Sequence, residues 1–277
     1  RIEEASKYNL TLNISSFDDL KALKRHDGNA IKVHLKIDTG MTRLGVPLDQ
    51  AEVFLKEANQ IESIELEGLY SHFATADEGD LSYANSQLSK FNEVVKIAKK
   101  LDIYPTFIHC SNSGAILNVK ESRFNMVRAG MLLYGAFPSD EVPQELPIKP
   151  VMTFTAPVVE IRDVKAGTHI SYGGVYTTKS DTRIAVVQAG FADGVPRPWY
   201  IDGFVKFKDQ NFKITGRICM DQLMIDIGSA DIQYGDEVLI FGSNEHGSID
   251  INHIAKKIDS TSYVLVTAIG IRPKRVY

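Results

Sequence analysis

Short runs of aliphatic and β-branched residues alternate with longer stretches of helical period through the first half of the chain, and this alternation most constrains its fold. Strands that read as continuous apolar runs, each separated by an amphipathic segment, pair in parallel, because the return crossing needs a dozen or more residues and a helix supplies them. Five strands are expected, over 10–15, 30–38, 64–73, 106–111 and 126–134. Between the third and fourth, Leu88, Phe91, Val94 or Val95, Ala98 and Leu101 recur at three- to four-residue spacing, with Lys96, Lys99 and Lys100 on the other face. That pattern predicts a helix covering the sheet. Asp77 and Asp80 precede it, where short acidic side chains accept from free N–H groups.

Pro138, Pro143, Pro147 and Pro150 crowd into one stretch, where fixed φ and missing donors stop either element from continuing. A boundary is placed there, giving domains 1–140 and 141–277. Beyond it the period shortens to strands divided by glycine and Asp/Asn turns, as in VMTFTAPVVEI, RIAVVQAGF, GFVKFKDQNFKITGR, LMIDIG and DEVLIFG, with one helix near INHIAKKID. The second half is expected to be mainly β.

Lysine and arginine total 31 against 35 acidic residues, so no basic field favours nucleic acid or an anionic membrane. No apolar run is long enough to cross a bilayer, and RIEEASKYN lacks the apolar segment of a signal peptide. With Cys110 and Cys219 expected to be free thiols, a cytoplasmic protein is the reading. The seven histidines are scattered, so no metal site is expected. The opening at Arg1 reads like the polar middle of a helix, and the expectation is that the chain begins inside a larger protein.

Polar residues gather where the apolar strands end, and in a βα barrel those ends and the loops after them form the mouth of the active site. The second strand ends as HLKIDTGMTRLGV, with Lys36, Asp38 and Arg43; the third as SHFATAD, with His72; the fourth as HCSNSGA, with Asn112, Ser113 and Gly114 opening a helix. Arg128 interrupts the apolar run of VRAGMLLYG, beside Gly130. In the second half, SYGG carries Tyr172, GFADGVPR carries Asp193 and Arg197, and GRICMDQ carries Met220 and Asp221 beside Cys219. Singly, each has a plain structural explanation: a salt-bridged charge, a satisfied buried imidazole, a helix cap, a hairpin turn.

As an ordered set, KIDTGMTRLGV, SHFATAD, HCSNSGA, VRAGMLLYGAFPS, SYGG, GFADGVPR, GRICMDQ and RPKRVY closely resemble the alanine racemase family of fold-type III pyridoxal phosphate enzymes. The resemblance implies an incomplete TIM-type α/β barrel holding strands 4–8, followed by a mainly-β C-terminal domain. It implies a homodimer with shared active sites, a small amino-acid substrate and pyridoxal 5′-phosphate. Tyr172 matches the tyrosine that exchanges the α-proton on one face, from the partner subunit. His72 matches the histidine bonded to that tyrosine, and Arg128 the arginine that contacts this histidine and the pyridine nitrogen. Asn112, Ser113, Gly130, Met131 and Tyr263 match the cofactor-binding positions. Arg43 and Met220 match substrate-contacting residues, and Lys36 a lysine that is commonly carbamylated and pairs with that arginine.

Thr42 stands where the family usually has glycine, Gly114 where alanine is usual, and Phe191 where a tyrosine lines the substrate entrance. The family's cofactor-anchoring lysine, in a motif like VVKANAYGHG, has no counterpart in this sequence, and it is also the base on the second face. The expectation is a C-terminal portion of a racemase, inactive alone, with three barrel strands missing and two sheet edges unpaired. The alternatives are a broad-specificity or serine racemase of the same family, and a noncatalytic phosphate-binding or interaction module.

Overall fold

The computed structural model describes residues 2–277; Arg1, on which the reading of the chain's beginning rests, lies outside the described residues. Two compact units divide the chain, one of Arg1–Leu132 with Phe137–Leu146, the other of Leu133–Ala136 with Pro147–Tyr277.

In the first unit, α1 (Ile2–Lys7), β1 (Leu12–Ile14), α2 (Phe17–Lys24), β2 (Ile31–Asp38), β3 (Val46–Pro47), α3 (Ala51–Asn59), β4 (Ile64–Tyr70), α4 (Ser82–Lys100), β5 (Phe107–His109) and α5 (Ser113–Asn118) follow in order. The parallel sheet runs β1-β2-β4-β5, with β3 paired to β2. Ile31, Val33, Leu35 and Ile37 bury one face of β2 against Phe54, Leu55 and Phe91, which come from the helices. The other face of the same strand carries His34 and Lys36, and this polar side holds the candidate site. The register between β2 and β4 slips after Val33–Leu66, so Glu67 and Tyr70, three residues apart, both reach that side.

The fifth expected strand does not form. Residues 124–130 carry no regular structure, and Met131–Tyr134 is a single 3₁₀ turn. The reason lies in Asn125, whose carboxamide accepts from Ile108 N–H at 2.8 Å and donates to Thr106 carbonyl at 2.7 Å, satisfying with a side chain what a strand would satisfy with backbone. The edge of β5, expected to pair with that fifth strand, is instead partly covered by this side chain. Asp80 does accept from the N–H of Ser82 at the start of α4, but Asp77 does not cap it; its carbonyl instead accepts from Ser139.

In the second unit, β6 (Phe154–Val164), β7 (His169–Ile170), β8 (Tyr176–Thr177), β9 (Thr182–Val187), β10 (Phe204–Phe207), β11 (Gln210–Lys213), β12 (Leu223–Asp226), β13 (Glu237–Asn244) and β14 (Gly247–Ile249) precede α6 (Ile251–Lys257) and α7 (Ser262–Ala268). The larger sheet is antiparallel, in order β11-β10-β13-β6-β9-β12, and β7 with β8 forms a small hairpin. The short strands between glycine and Asp/Asn turns thus make a mainly-β unit. No helix among the described residues is long and apolar enough to cross a membrane.

Candidate active site

A cavity of about 540 Å³ opens on the polar side of the first unit's sheet, lined among others by Lys36, Arg43, Tyr70, His72, His109 and Arg128. Arg128 is its centre. Its backbone N–H donates to Ser111 carbonyl at 3.0 Å, and its guanidinium donates to Ser71 carbonyl at 2.8 Å, His72 Nδ1 at 3.0 Å and His109 Nδ1. The Tyr70 ring lies under the guanidinium at 5.1 Å and stacks on His109.

An arginine can only donate, so both imidazoles must present an unprotonated Nδ1 and carry their proton on Nε2. His109 then donates from Nε2 to His34 Nδ1 at 2.8 Å, and His34 turns Nε2 to Glu67 at 3.3 Å. Thr11 and Lys32 hold that carboxylate from the other side. Burial alone would raise the Glu67 carboxyl, but the Thr11, Lys32 and His34 contacts outweigh it and hold it low. Burial, then the charge of Arg128, pushes His72 down to about 4 and His109 down to about 3, the first with further help from Arg43 and Lys36. Both rings are neutral at pH 7. Gly68 makes this chain of contacts possible, since a Cβ there would lie 2.5 Å from the His34 ring.

Lys36 is buried, with its ammonium 5.6 Å from the Tyr70 ring. Burial, then Arg43 and Arg128, lower its pKa. Among the described residues no carboxylate lies within ion-pair distance of Lys36, Arg43 or Arg128. Asp38, on the same strand as Lys36, turns its carboxylate to the N–H groups of Gly40, Met41 and Thr42 and so shapes the loop that leads to Arg43. Among the described residues no cluster of three or more His, Cys, Asp or Glu side chains is placed to hold a metal.

Asn112 caps α5 by accepting from Ala115 N–H at 3.0 Å, so its side chain does the structural job. Ser113 is buried and accepts from Gly130 N–H at 2.9 Å, which brings two of the expected phosphate-binding positions together next to Arg128. Met131 is also buried. Cys110 and Cys219 are free thiols, and burial raises Cys110 to about 12. His34, Glu67, Tyr70 and His109 were not singled out from the sequence.

In the second unit Tyr172 lies on a 3₁₀ turn between β7 and β8, not on a strand, and is 64% exposed. The loops bearing Phe191 and Met220 are bonded to each other, Phe191 N–H to Cys219 carbonyl at 3.1 Å and Ala192 N–H to Met220 carbonyl at 2.8 Å. Ser171, beside Tyr172, donates to the carbonyl of Arg217 in the same region. Three exposed side chains, Tyr172, Phe191 and Met220, therefore sit on loops joined to one another. Tyr263 lies on α7.

Two of the departures from the family pattern have structural consequences. Thr42 adopts φ +53°, a conformation that favours glycine. Gly114 packs against the 76–77 backbone so closely that a Cβ would lie 2.7 Å from Asp77 N, leaving no room for alanine.

A parallel βα sheet with a cationic, histidine-lined cavity on its polar side, followed in the chain by an antiparallel β unit, defines a barrel-like α/β class of enzyme with a mainly-β second unit. Residues 1–138 match the family model described as alanine racemase, N-terminal domain, and residues 151–277 match alanine racemase, C-terminal domain. The chain is 38% identical over 283 residues to an alanine racemase of Desulforamulus reducens, covering 100% of this chain and 76% of that protein. It is 41% identical over 247 residues to one of Halothermothrix orenii, covering 89% of this chain and 65% of that protein. An alanine racemase structure from Clostridium difficile 630 matches with a TM-score of 0.89 at 35% identity, over 97% of this chain and 71% of that one. One from Streptomyces coelicolor A3(2) matches with a TM-score of 0.92 at 32% identity, over 99% and 74%. This chain belongs to the alanine racemase family.

Proposed function

We propose that this chain carries the anion-binding and first-face proton-transfer residues of a pyridoxal 5′-phosphate-dependent alanine racemase, which interconverts L- and D-alanine. One observation carries the reading: Lys36, Arg43 and Arg128 line one cavity, none of them with a carboxylate at ion-pair distance among the described residues, and Arg128 holds two neutral imidazoles in a fixed tautomer. Such a field fits a group that brings a phosphate and a substrate that brings a carboxylate. The cofactor, when bound, supplies an electron sink that makes the α-C–H of an attached amino acid acidic enough to exchange.

The chain's own residues do the rest. Ser113, whose oxygen accepts from Gly130 N–H and whose own proton is thereby left to donate, would hold the phosphate with the Met131 N–H and the loop that Asn112 caps; Tyr263 is proposed as a cofactor-binding residue on the family resemblance alone. Arg43 would bind the substrate carboxylate, with Met220 against the substrate. Lys36, buried beside two arginines, is poised for a modification that removes its positive charge, such as carbamylation. His72 has its Nδ1 taken by Arg128, so its Nε2–H is left to donate. That proton would bond the Tyr172 oxygen and favour its phenolate, which accepts the α-proton on one face. A free phenol titrates near pH ~10, and each unit of lowering needs about 1.4 kcal/mol of such stabilisation. Arg128, unable to release a proton, would keep a pyridine nitrogen beside it unprotonated and restrain side reactions.

The assembly is proposed to be a homodimer in which Tyr172 and Met220 serve the partner's site. No lysine among the described residues is proposed as the cofactor anchor, and the chain alone is expected not to turn over. Supplied with a segment that carries such a lysine, the protein should racemise alanine faster than serine or lysine in a polarimetric assay. Preference for serine would favour a serine racemase instead. Without turnover, fluorescence titration with pyridoxal 5′-phosphate tests the cradle: Ser113→Ala should weaken binding about tenfold, equivalent to about 1.4 kcal/mol. Equal affinity in both forms would refute this use of Ser113.

A further inference from the structure

We propose that Asn125 is the positioning residue for Arg128, replacing a barrel strand with a single side chain on the edge of β5. The inference rests on the proposed role of Arg128 and extends it to a residue that does not line the cavity.

Three observations converge. The first is the two-point bond of the Asn125 carboxamide to Ile108 N–H and Thr106 carbonyl, which copies the donor–acceptor pair of a neighbouring strand. Three residues later the Arg128 N–H donates to Ser111 carbonyl at 3.0 Å. The segment carrying the guanidinium is thus fastened to β5 and its continuation at two points, with only Met126 and Val127 between them. Neither fastening is a ladder of strand pairing, so loss of one leaves little to hold the other in register.

Phe124 supplies the second observation. Its backbone sits at φ 41°, ψ −123°, a region that side chains avoid, and its ring packs edge-on against Phe91 at 5.4 Å. A strained residue persists only where its surroundings over-determine it. Here the strain turns the chain sharply enough to deliver Asn125 to the β5 edge.

The third is the precision that Arg128 needs. One guanidinium serves Ser71 carbonyl, His72 Nδ1 and His109 Nδ1, and lies over Tyr70. A shift of about 1 Å would break at least one of these bonds, since hydrogen bonds weaken steeply beyond their normal range. The charged and titratable groups facing Arg128 and the two imidazoles are His72, His109, His34, Glu67, Tyr70, Cys110, Lys36 and Arg43.

The test is ¹⁵N NMR of the imidazoles in the full chain, which needs no turnover. Wild type should show both His72 and His109 protonated at Nε2 at neutral pH. Asn125→Ala should give mixed tautomers and raise both imidazole titrations by about 1 unit, because the nearby charge that disfavours protonation is no longer held in place. Should that variant fail to fold, Asn125→Asp, which keeps the acceptor for Ile108 N–H, supplies the same measurement. A folded variant whose histidines keep wild-type tautomers and titrations would overturn the proposal, since a merely structural role lowers Tm without moving them. Arg128→Met separates the two layers. If it leaves the histidines unchanged, the reading of Arg128 as the orienting cation fails, and the role of Asn125 with it.

Discussion

Acidification from pH 7 to 5 should destabilise the first unit through His72 and His109, before carboxylates begin to titrate in earnest. Both rings have an ordinary value of 6.5 and are pushed down in the folded chain, to about 4 and about 3, by burial first and Arg128 second. The unfolded chain therefore takes up two protons near pH 6.5 that the folded chain refuses. Stability from this source is complete above that pH and falls as pH drops toward the folded values, where the loss levels off. At pH 5 each histidine would contribute about 2 kcal/mol of loss if fully shielded, at about 1.4 kcal/mol per pH unit. Solvent reaching the cavity screens these interactions, so about 2 kcal/mol for the pair is the working figure. Native-state hydrogen exchange at the amides of Leu69 and Ile108, on the strands carrying the site, reads this unit separately from the second. Protection should drop on going from pH 7 to 5 after correction for intrinsic exchange, and His72→Asn with His109→Asn should flatten the drop. Protection that stays level over this window in the wild type would refute the claim that these rings are buried and neutral.

Thr42→Gly should stabilise the chain by about 1 kcal/mol, because it relieves a β-branched residue at φ +53°; an unchanged or lower urea midpoint would count against strain there. Gly114→Ala should cost about 1–3 kcal/mol even though it restores the family's usual residue, since the added methyl meets the Asp77 backbone at 2.7 Å; thermal unfolding measures it. Gly68→Ala should push the His34 ring aside and free His109 from its Nε2 partner, visible as faster exchange of the His109 ring proton by NMR, and unchanged exchange would count against the contact.

Much of this fold is legible from period alone. In IKVHLKID every second residue is apolar and buries against helices, so the strand and its inward face follow from spacing, and His34 and Lys36 fall on the polar side together. The same logic fails over NMVRAGMLLY, whose apolar content reads as a strand. A side-chain amide can take over ladder bonds without leaving any periodic trace, so Asn125 was invisible there. Arg128 and His72 were found because each interrupts or ends an apolar run. His109 sits one residue before a cysteine in a run that reads as ordinary strand, and Glu67 joins the site only through the slip in register after Val33. Neither signal exists before the strands are paired. Gly114 shows the reverse case, a departure from the family pattern that the packing explains.

Deuterium exchange at the α-carbon tests the central claim most directly. In the protein carrying the cofactor lysine, incubation of L-alanine and D-alanine in D₂O with Tyr172→Phe should suppress α-proton exchange from one enantiomer by about 10²-fold or more, the range expected for loss of a positioned base, while exchange from the other persists. Equal, undiminished exchange from both enantiomers would remove Tyr172 from the reaction and contradict the account.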